Sequence, residues 1–283
     1  VGGLVPFGSD EQRERVREEA GLDQPFLVRY GNWLGGFVTG DMGNQYTVSS
    51  TRPVVDRVTT SLWPTVLLMV YAQTLALVIA IPVGVIAAYR QDTWFDRLSN
   101  TSAFAMLAIP TFALGFVLQY YVGVKLGWAD TGGYKSPTQD LAGHVRSMIL
   151  PTITLAVGQV AVYMRLLRSD MIATLQQDFI TMAKAKGITT KRILFRHALR
   201  PSSLTLLTVA GLNIGTLIGG ALIIEVVFNI PGLGYLMGEA IATRQIVMFQ
   251  SLVAIIAIFY VFVNFCVDIL YTVLDPRIRH AGT

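Results

Sequence analysis

The sequence predicts an all-α protein that crosses a membrane several times, and three observations carry that expectation. Hydrophobic residues make up 53% of the 283 residues and charged ones 14%, against about 25% charged in a soluble domain. Mean hydropathy is +0.53. Five apolar runs of about 20–25 residues recur, each long enough for a hydrocarbon core of about 30 Å at about 1.5 Å per residue. Charge gathers in alternate links between those runs. The net charge of +4 matters less than this placement. No basic, aromatic-bearing domain stands apart from the spans, so nucleic-acid binding is a poor reading.

Residues 1–62 are mostly polar and do not span. A surface helix starts near Ser9, with Ser9 and Gln12 at capping-box spacing. Glu11–Arg15 and Glu14–Arg17 stand one turn apart, and Gly21 and Pro25 supply the stop. Gly21-Leu22-Asp23-Gln24-Pro25, Tyr30, Trp33-Leu34 and Gly40-Asp41-Met42-Gly43 then read as turn and amphipathic signals.

The spans run roughly over Pro64–Ala88, Ala103–Leu126, Met148–Leu167, Leu204–Phe228 and Ser251–Leu274. Pro82, Pro110 and Pro151 lie in or near them, as neighbouring membrane helices allow. Trp33, Trp63, Trp94 and Trp128 fall outside spans or at their ends, where an amphipathic ring prefers the interface. Arg165 and Arg168 end the third span and are read as snorkelling. Cys266, the single cysteine, is read as a small core residue. In the fourth span Gly211, Gly215 and Gly219 repeat every four residues as a small packing face, equally suited to packing within the subunit and across a dimer. Glu225 and Asp268 are the clearest acids in or beside spans, and so the candidates for a translocation path.

The links after spans one and three, with the tail, hold Arg90, Arg97, Arg168, Lys184, Lys186, Lys191, Arg192, Arg196, Arg200, Arg277 and Arg279. The links after spans two and four hold only Lys135, Arg146 and Arg244 beyond the helix ends. The first group is therefore expected in the cytoplasm and residues 1–62 outside. An outside placement of residues 1–62 is awkward for an N-terminus without a signal, so a further span with a cytoplasmic start is expected upstream of Val1.

The stretch Asp178–Pro201 organises the rest. It reads as a short helix, a bend at Gly187 and a second helix capped by Thr189 or Thr190. Ala183 and Gly187 form a small face on which another backbone could rest. By charge alone it is a basic loop obeying the positive-inside rule. Its residue order adds a resemblance, to the coupling loop of ABC importer permeases. That motif has Glu-Ala-Ala, a Gly beyond three intervening residues, and an Ile-x-Leu-Pro-like tail. Ala183, Gly187 and Leu199 match it. Thr181 and Met182 replace the first Glu and Ala, His197 stands at the Ile position, and Arg200 leaves Pro201 one residue late. Ala183-Lys184-Ala185-Lys186-Gly187 with Arg196-His197-Ala198-Leu199-Arg200 resembles the dipeptide/oligopeptide (peptide/nickel) subfamily, in its first-permease type. So do Phe228-Asn229-Ile230-Pro231-Gly232-Leu233-Gly234, Asp275-Pro276-Arg277 and the segment after Gly21.

The resemblance implies a six-span permease bundle in a bacterial or archaeal inner membrane, its first span preceding Val1. Residues 1–62 would be its extracytoplasmic segment, 63–283 its transmembrane domain and 168–203 its cytoplasmic coupling loop. Lys184, Ala185, Lys186 and Arg196 would border the ATPase contact. The implied partners are a second homologous permease, two ABC ATPases, an extracytoplasmic binding protein and the lipid bilayer. ATP and Mg belong to the ATPases. No cofactor is expected in this chain, which has no phosphate-binding loop, no metal-ligand spacing among His144, His197 and His280, which fall in different loops, and no catalytic set. The alternatives are a permease for nickel or another small solute, an ion-coupled secondary transporter, which needs acids near the midplane, and a membrane anchor without a pathway.

Overall fold

The computed structural model describes residues 9–274, apart from 20, 22 and 47–50. Val1, Leu22, the side chains of Gln12 and Asp268, and Asp275-Pro276-Arg277 lie outside the described residues. Among those described, four helices are long and apolar enough to cross a membrane, and a bent pair makes a fifth if its halves form one span.

The segment before the first span holds α1 (Asp10–Glu19), α2 (Phe26–Thr39) and an antiparallel ribbon of β1 (Asn44–Tyr46) and β2 (Thr51–Pro53), with Gln45 opposite Arg52. The ribbon carries no alternating pattern long enough to announce itself in the sequence. Beyond the Gly21 stop (φ +61), Arg17 reaches Asp23 at 2.6 Å, an exposed pair of small energetic consequence.

The first span, α3 (Val54–Tyr89), begins about three turns before the expected Pro64 boundary. Pro53, extended and without an amide hydrogen, precedes it, and Asp56 occupies the favourable first turn. Val54, Val58, Ser61 and Thr65 carry one buried face upstream of the apolar run. Trp63 accordingly lies inside this helix. Further along, Ala72, Ala76, Ala80, Gly84 and Ala88 recur every four residues and are all buried. Against this stripe lies α6 (Leu141–Leu175), where a Cβ on Gly84 would stand 3.0 Å from the Met164 carbonyl. Asp140 starts α6 by accepting from the Gly143 amide at 2.9 Å. This helix is central: 67% of its most apolar stretch is buried, against 17–39% in the other three long spans.

The expected span Ala103–Leu126 is not one helix. The helices α4 (Trp94–Ala108) and α5 (Thr111–Leu118, continued by a π-helical turn over Gln119–Lys125) meet at 98°. Pro110 explains the break. It removes an amide and forces the preceding Ile109 out of the helical region, to φ −89 and ψ 122. Gln119 then ties the second half to the Thr131 and Val227 carbonyls, at 2.7 and 2.9 Å.

After the basic loop, α9 (Leu199–Val227) crosses back, α10 (Leu233–Ala242) forms a short apolar helix, and α11 (Ile246–Leu274) flanks the bundle. A smaller core joins Val54 and Val58 to Leu233, Leu236 and Ala240 of α10 and to Met248 and Leu252 of α11. Arg57 pairs there with Glu239 at 2.7 Å, and Gln45 of the ribbon donates to the same carboxylate at 2.9 Å. Gly211 and Gly215 meet Val267 and Tyr260 of α11, whereas a Cβ on Gly219 meets nothing within 4 Å. Two members of the small face therefore pack inside the subunit. Cys266 is exposed on α11, not in the core.

These contacts rank three substitutions. Gly84→Leu presses on backbone, Gly215→Leu on the movable Tyr260 ring, and Gly219→Leu on open space. Overpacking costs about 1–3 kcal/mol. Gly84→Leu is expected to lower the melting temperature of the purified complex most, Gly215→Leu less, and Gly219→Leu least.

Candidate functional site

The basic loop leaves α6 at Leu175 and is clasped at its neck, where the Thr174 and Ser202 hydroxyls lie 2.8 Å apart. Its first helix, α7 (Asp178–Ala185), turns Ile180 and Ala183 inward, 0% and 7% exposed. Phe179 and Met182, one turn apart, face out at 47% and 58% exposure. The expected small outward face is thus corrected at Ala183, while Gly187 is exposed. Ala183 is small because it packs into its own subunit, beside Ile193, Leu194 and Ala198. Gly187 is the bend. Its amide donates to the Lys184 carbonyl at 2.9 Å and that of Ile188 to Ala183 at 3.2 Å, the paired bonds of a Schellman stop. Its φ of +70 is a conformation that L side chains disfavour.

Thr189 precedes α8 (Thr190–Arg192) in extended conformation, but its hydroxyl makes no capping bond. A π-helical turn over Ile193–Ala198 leads directly into α9. It buries Ile193, Leu194 and Ala198 and leaves Phe195 47% exposed. The widened turn lies just before Pro201, whose missing amide already interrupts the helical ladder. Leu199 is half-buried, and Pro201 is exposed in the first turn of α9. Ala185, Lys184, Lys186, Lys191, Arg192, Arg196 and Arg200 are all exposed. Among the described residues none of these bases forms an ion pair within the chain.

Beside the loop, Arg168 does not snorkel. Its Nε and Nη2 donate to the two oxygens of Asp96, the Nη2 bond measuring 2.6 Å. The Asp96 side chain is 4% exposed, and it also accepts from the Asp92 amide at 3.0 Å and from Asn100 at 2.9 Å. Arg165 lies over the Phe104 ring, 4.2 Å from its centre, as a cation on a π face. Both arginines thus hold α6 to α4. In the sequence Asp96 shares its link with Asp92 and stands 72 residues from Arg168, so neither local spacing nor periodicity connects the pair.

At the opposite end, Glu225 is fully buried and caps α10. Its Oε2 accepts from the amides of Gly234 at 2.6 Å and Tyr235 at 3.4 Å, while Thr65 accepts from Leu233 at 2.9 Å. Any Cβ on Gly232 would overlap the Glu225 carboxylate. The Pro/Gly-rich turn is therefore shaped around this acid, and Glu225 lines no open path here. Asp268 stands on α11. Nearby, His144 belongs to the first turn of α6, not to a loop, and is buried. Its Nδ1 donates to the Lys135 carbonyl at 2.6 Å, which leaves Nε2 to accept from the Tyr71 hydroxyl at 3.1 Å. Burial pushes the neighbouring Tyr134 hydroxyl up. The Gly143 amide, then Lys135, holds the Asp140 carboxyl below its usual range. Among the described residues no three His, Cys, Asp or Glu side chains gather as metal ligands.

A bundle of crossing helices with a clasped basic loop at one end and a capped short helix at the other is the architecture of a membrane transporter subunit. Residues 80–280 match the family described as the binding-protein-dependent transport system inner membrane component, and the chain belongs to that family. It is 37% identical to the oligopeptide transport system permease protein AppB of Bacillus subtilis (strain 168) over 279 residues, 98% of this chain and 88% of that one. It is 33% identical to the glutathione transport system permease protein GsiC of Escherichia coli O6:H1, over 94% of this chain and 84% of that one. The fold resembles the inward-facing MetNI methionine ABC transporter, with TM-score 0.64, 17% identity, and 77% and 96% of the two chains covered. An amino acid ABC transporter solved with histidines gives TM-score 0.54 at 15% identity, covering 78% and 94%. The chain is a multi-pass permease subunit of an ABC importer, a family that works with ATPase subunits and a solute-binding protein.

The Asp96–Arg168 pair makes a direct prediction. Arg168→Met leaves a buried carboxylate without its cation, a loss of about 3–5 kcal/mol for such pairs. Complex yield and melting temperature should fall sharply. Asp96→Leu added to Arg168→Met should recover most of the loss, because the uncompensated charge is gone.

Proposed function

We propose that this subunit imports peptides across a bacterial or archaeal inner membrane, paired with a second homologous permease, two cytoplasmic ATPases and an extracytoplasmic binding protein. The residues before α3 form its external segment, the helices from α3 onward its membrane domain, and the stretch between α6 and α9, within 168–203, the cytoplasmic loop that the ATPases grip. The chain itself does no catalysis, and ATP and Mg are held by the ATPases. Support for the peptide substrate comes from relatives named for oligopeptide and glutathione transport, at 37% and 33% identity over nearly the whole chain.

The outward face of α7 carries the coupling part of this reading. Phe179 and Met182 present exposed apolar surface at a loop that the hydrophobic core does not claim, and such patches mark docking sites. Lys184 and Lys186 flank them with charge free for an acidic rim. Ile180 and Ala183 key the same helix into the bundle from its other side. When ATP binding draws the ATPases together, a helix fixed on both faces passes that displacement to α6 and α9 without bending. The spans then tilt between outward and inward access.

Three measurements on the reconstituted complex test this reading. Met182→Asp should weaken ATPase retention about tenfold or more, as at a central interface residue, with normal membrane insertion. Gly187→Val forces a β-branched residue into φ +70, a strain of at least about 1–2 kcal/mol. Uptake should fall while basal ATP hydrolysis persists. Ala183→Glu, buried in the subunit, should instead reduce the amount of folded chain. Wild-type uptake in Met182→Asp and Gly187→Val together would make this an ordinary connection. Uptake of nickel in place of tri-alanine would replace the peptide reading. For orientation, Lys186→Cys in a Cys266→Ser background should resist an impermeant thiol reagent added outside intact cells.

A further inference from the structure

Near the middle of three long spans, polar side chains converge. Gln73 of α3, Gln159 and Tyr163 of α6 and Asn213 of α9 sit far from either helix end. The Tyr163 hydroxyl is buried and donates to Gln73 Oε1 at 3.0 Å. Gln73 Nε2 in turn donates to the Ala210 carbonyl at 3.2 Å. This half of the cluster is satisfied within the protein, and it fixes the orientation of the Gln73 amide.

The other half is not closed. Asn213 Nδ2 donates to Gln159 Oε1 at 3.2 Å, and Asn213 also reaches the Tyr163 hydroxyl. That leaves the Gln159 amide nitrogen and the Asn213 carbonyl oxygen without a hydrogen-bonded partner among the described residues. Reversing both amides only exchanges their roles, since one NH2 and one C=O stay open either way. Both side chains are half-buried, not enclosed. Space lies beside them: a Cβ on Gly158 or on Gly219 meets nothing within 4 Å. Thr216 and Gly219 follow Asn213 at successive three-residue steps, and both are exposed.

Open amide groups at mid-depth cannot face acyl chains without a large desolvation cost. Intramembrane polar groups of this kind face the bundle interior or a water-filled cavity. We infer that the Gln159–Asn213 carboxamide pair is a mid-membrane station of the translocation path, which hydrogen-bonds the backbone amides of a passing peptide. A carboxamide pair offers one donor and one acceptor without charge. That complements a peptide bond of any sequence and suits neither a bare metal ion nor a hydrocarbon. The peptide part of this inference rests on the function proposed above.

The test uses the assembled complex in proteoliposomes, with Cys266→Ser as background. Gln159→Cys and Asn213→Cys should react with a water-soluble thiosulfonate reagent during ATP turnover. Phe262→Cys, on the exposed face of α11, should not. Tri-alanine should slow the first two reactions. Gln159→Leu should raise the KM for tri-alanine import about tenfold, the loss of one good hydrogen bond, and Gln159→Asn should restore most of it. Unreactive cysteines at both positions, or no protection in a complex that does import tri-alanine, would overturn the station. A wild-type complex that does not import tri-alanine sinks the peptide reading instead. The reactivity measurement needs no solute, and on its own decides whether these amides face water.

Discussion

The close approach of α3 and α6 is the constraint on which the rest of the molecule depends. Ala72, Ala76, Ala80, Gly84 and Ala88 remove side-chain bulk from one face of α3, so that α6 can lie nearly backbone to backbone. In a bilayer no hydrophobic driving force separates helix from lipid, and dispersion between well-fitted surfaces takes its place. Such a fit demands small residues in register over several turns. It also makes α6 the central helix, with neighbours on almost every side. The functional features at both ends are built on extensions of these two helices.

At the basic end, α6 continues beyond the packed region and delivers the loop as a rigid object. Arg168 and Arg165 brace it against α4, and the Thr174–Ser202 contact closes the neck. The loop helix is keyed inward by Ile180 and Ala183, so its exposed Phe179 and Met182 stand on a firm base. At the other end, the upstream turns of α3 carry Thr65 and Arg57 to α10. Glu225 caps that helix, its carboxylate filling the place that a Cβ at position 232 would take. Both ends are thus built around the same two helices, α3 and α6.

Much of this was legible in the sequence by itself. Composition and apolar run length determined a multi-span helical protein, because a bilayer leaves a chain few other ways to satisfy its backbone. Local chemistry determined the helix, stop and second helix of the basic loop, since a Schellman stop needs a residue that tolerates positive φ and Gly187 is that residue. The order Ala183-Lys184-Ala185-Lys186-Gly187 followed by Arg196-His197-Ala198-Leu199-Arg200 carries the resemblance to the family to which the chain belongs.

Tertiary structure alone decided which face of each helix does what. Apolar periodicity cannot separate lipid from protein in a membrane span, because both solvents accept the same residues. Hence the repeat of Gly211, Gly215 and Gly219 stands out in the sequence, whereas the alanine stripe of α3 merges with its apolar surroundings. Ala183 looked like a docking residue and proved to be a packing one, since a small side chain serves either purpose. Pro110 breaks the helix at Ile109, and the packing of α5 against α6 and α9 holds the two halves at 98°. Asp96 and the Gln159–Asn213 pair take their geometry from partners 72 and 54 residues away. Contacts at that separation are set by how the helices pack, and no local pattern in the chain records them.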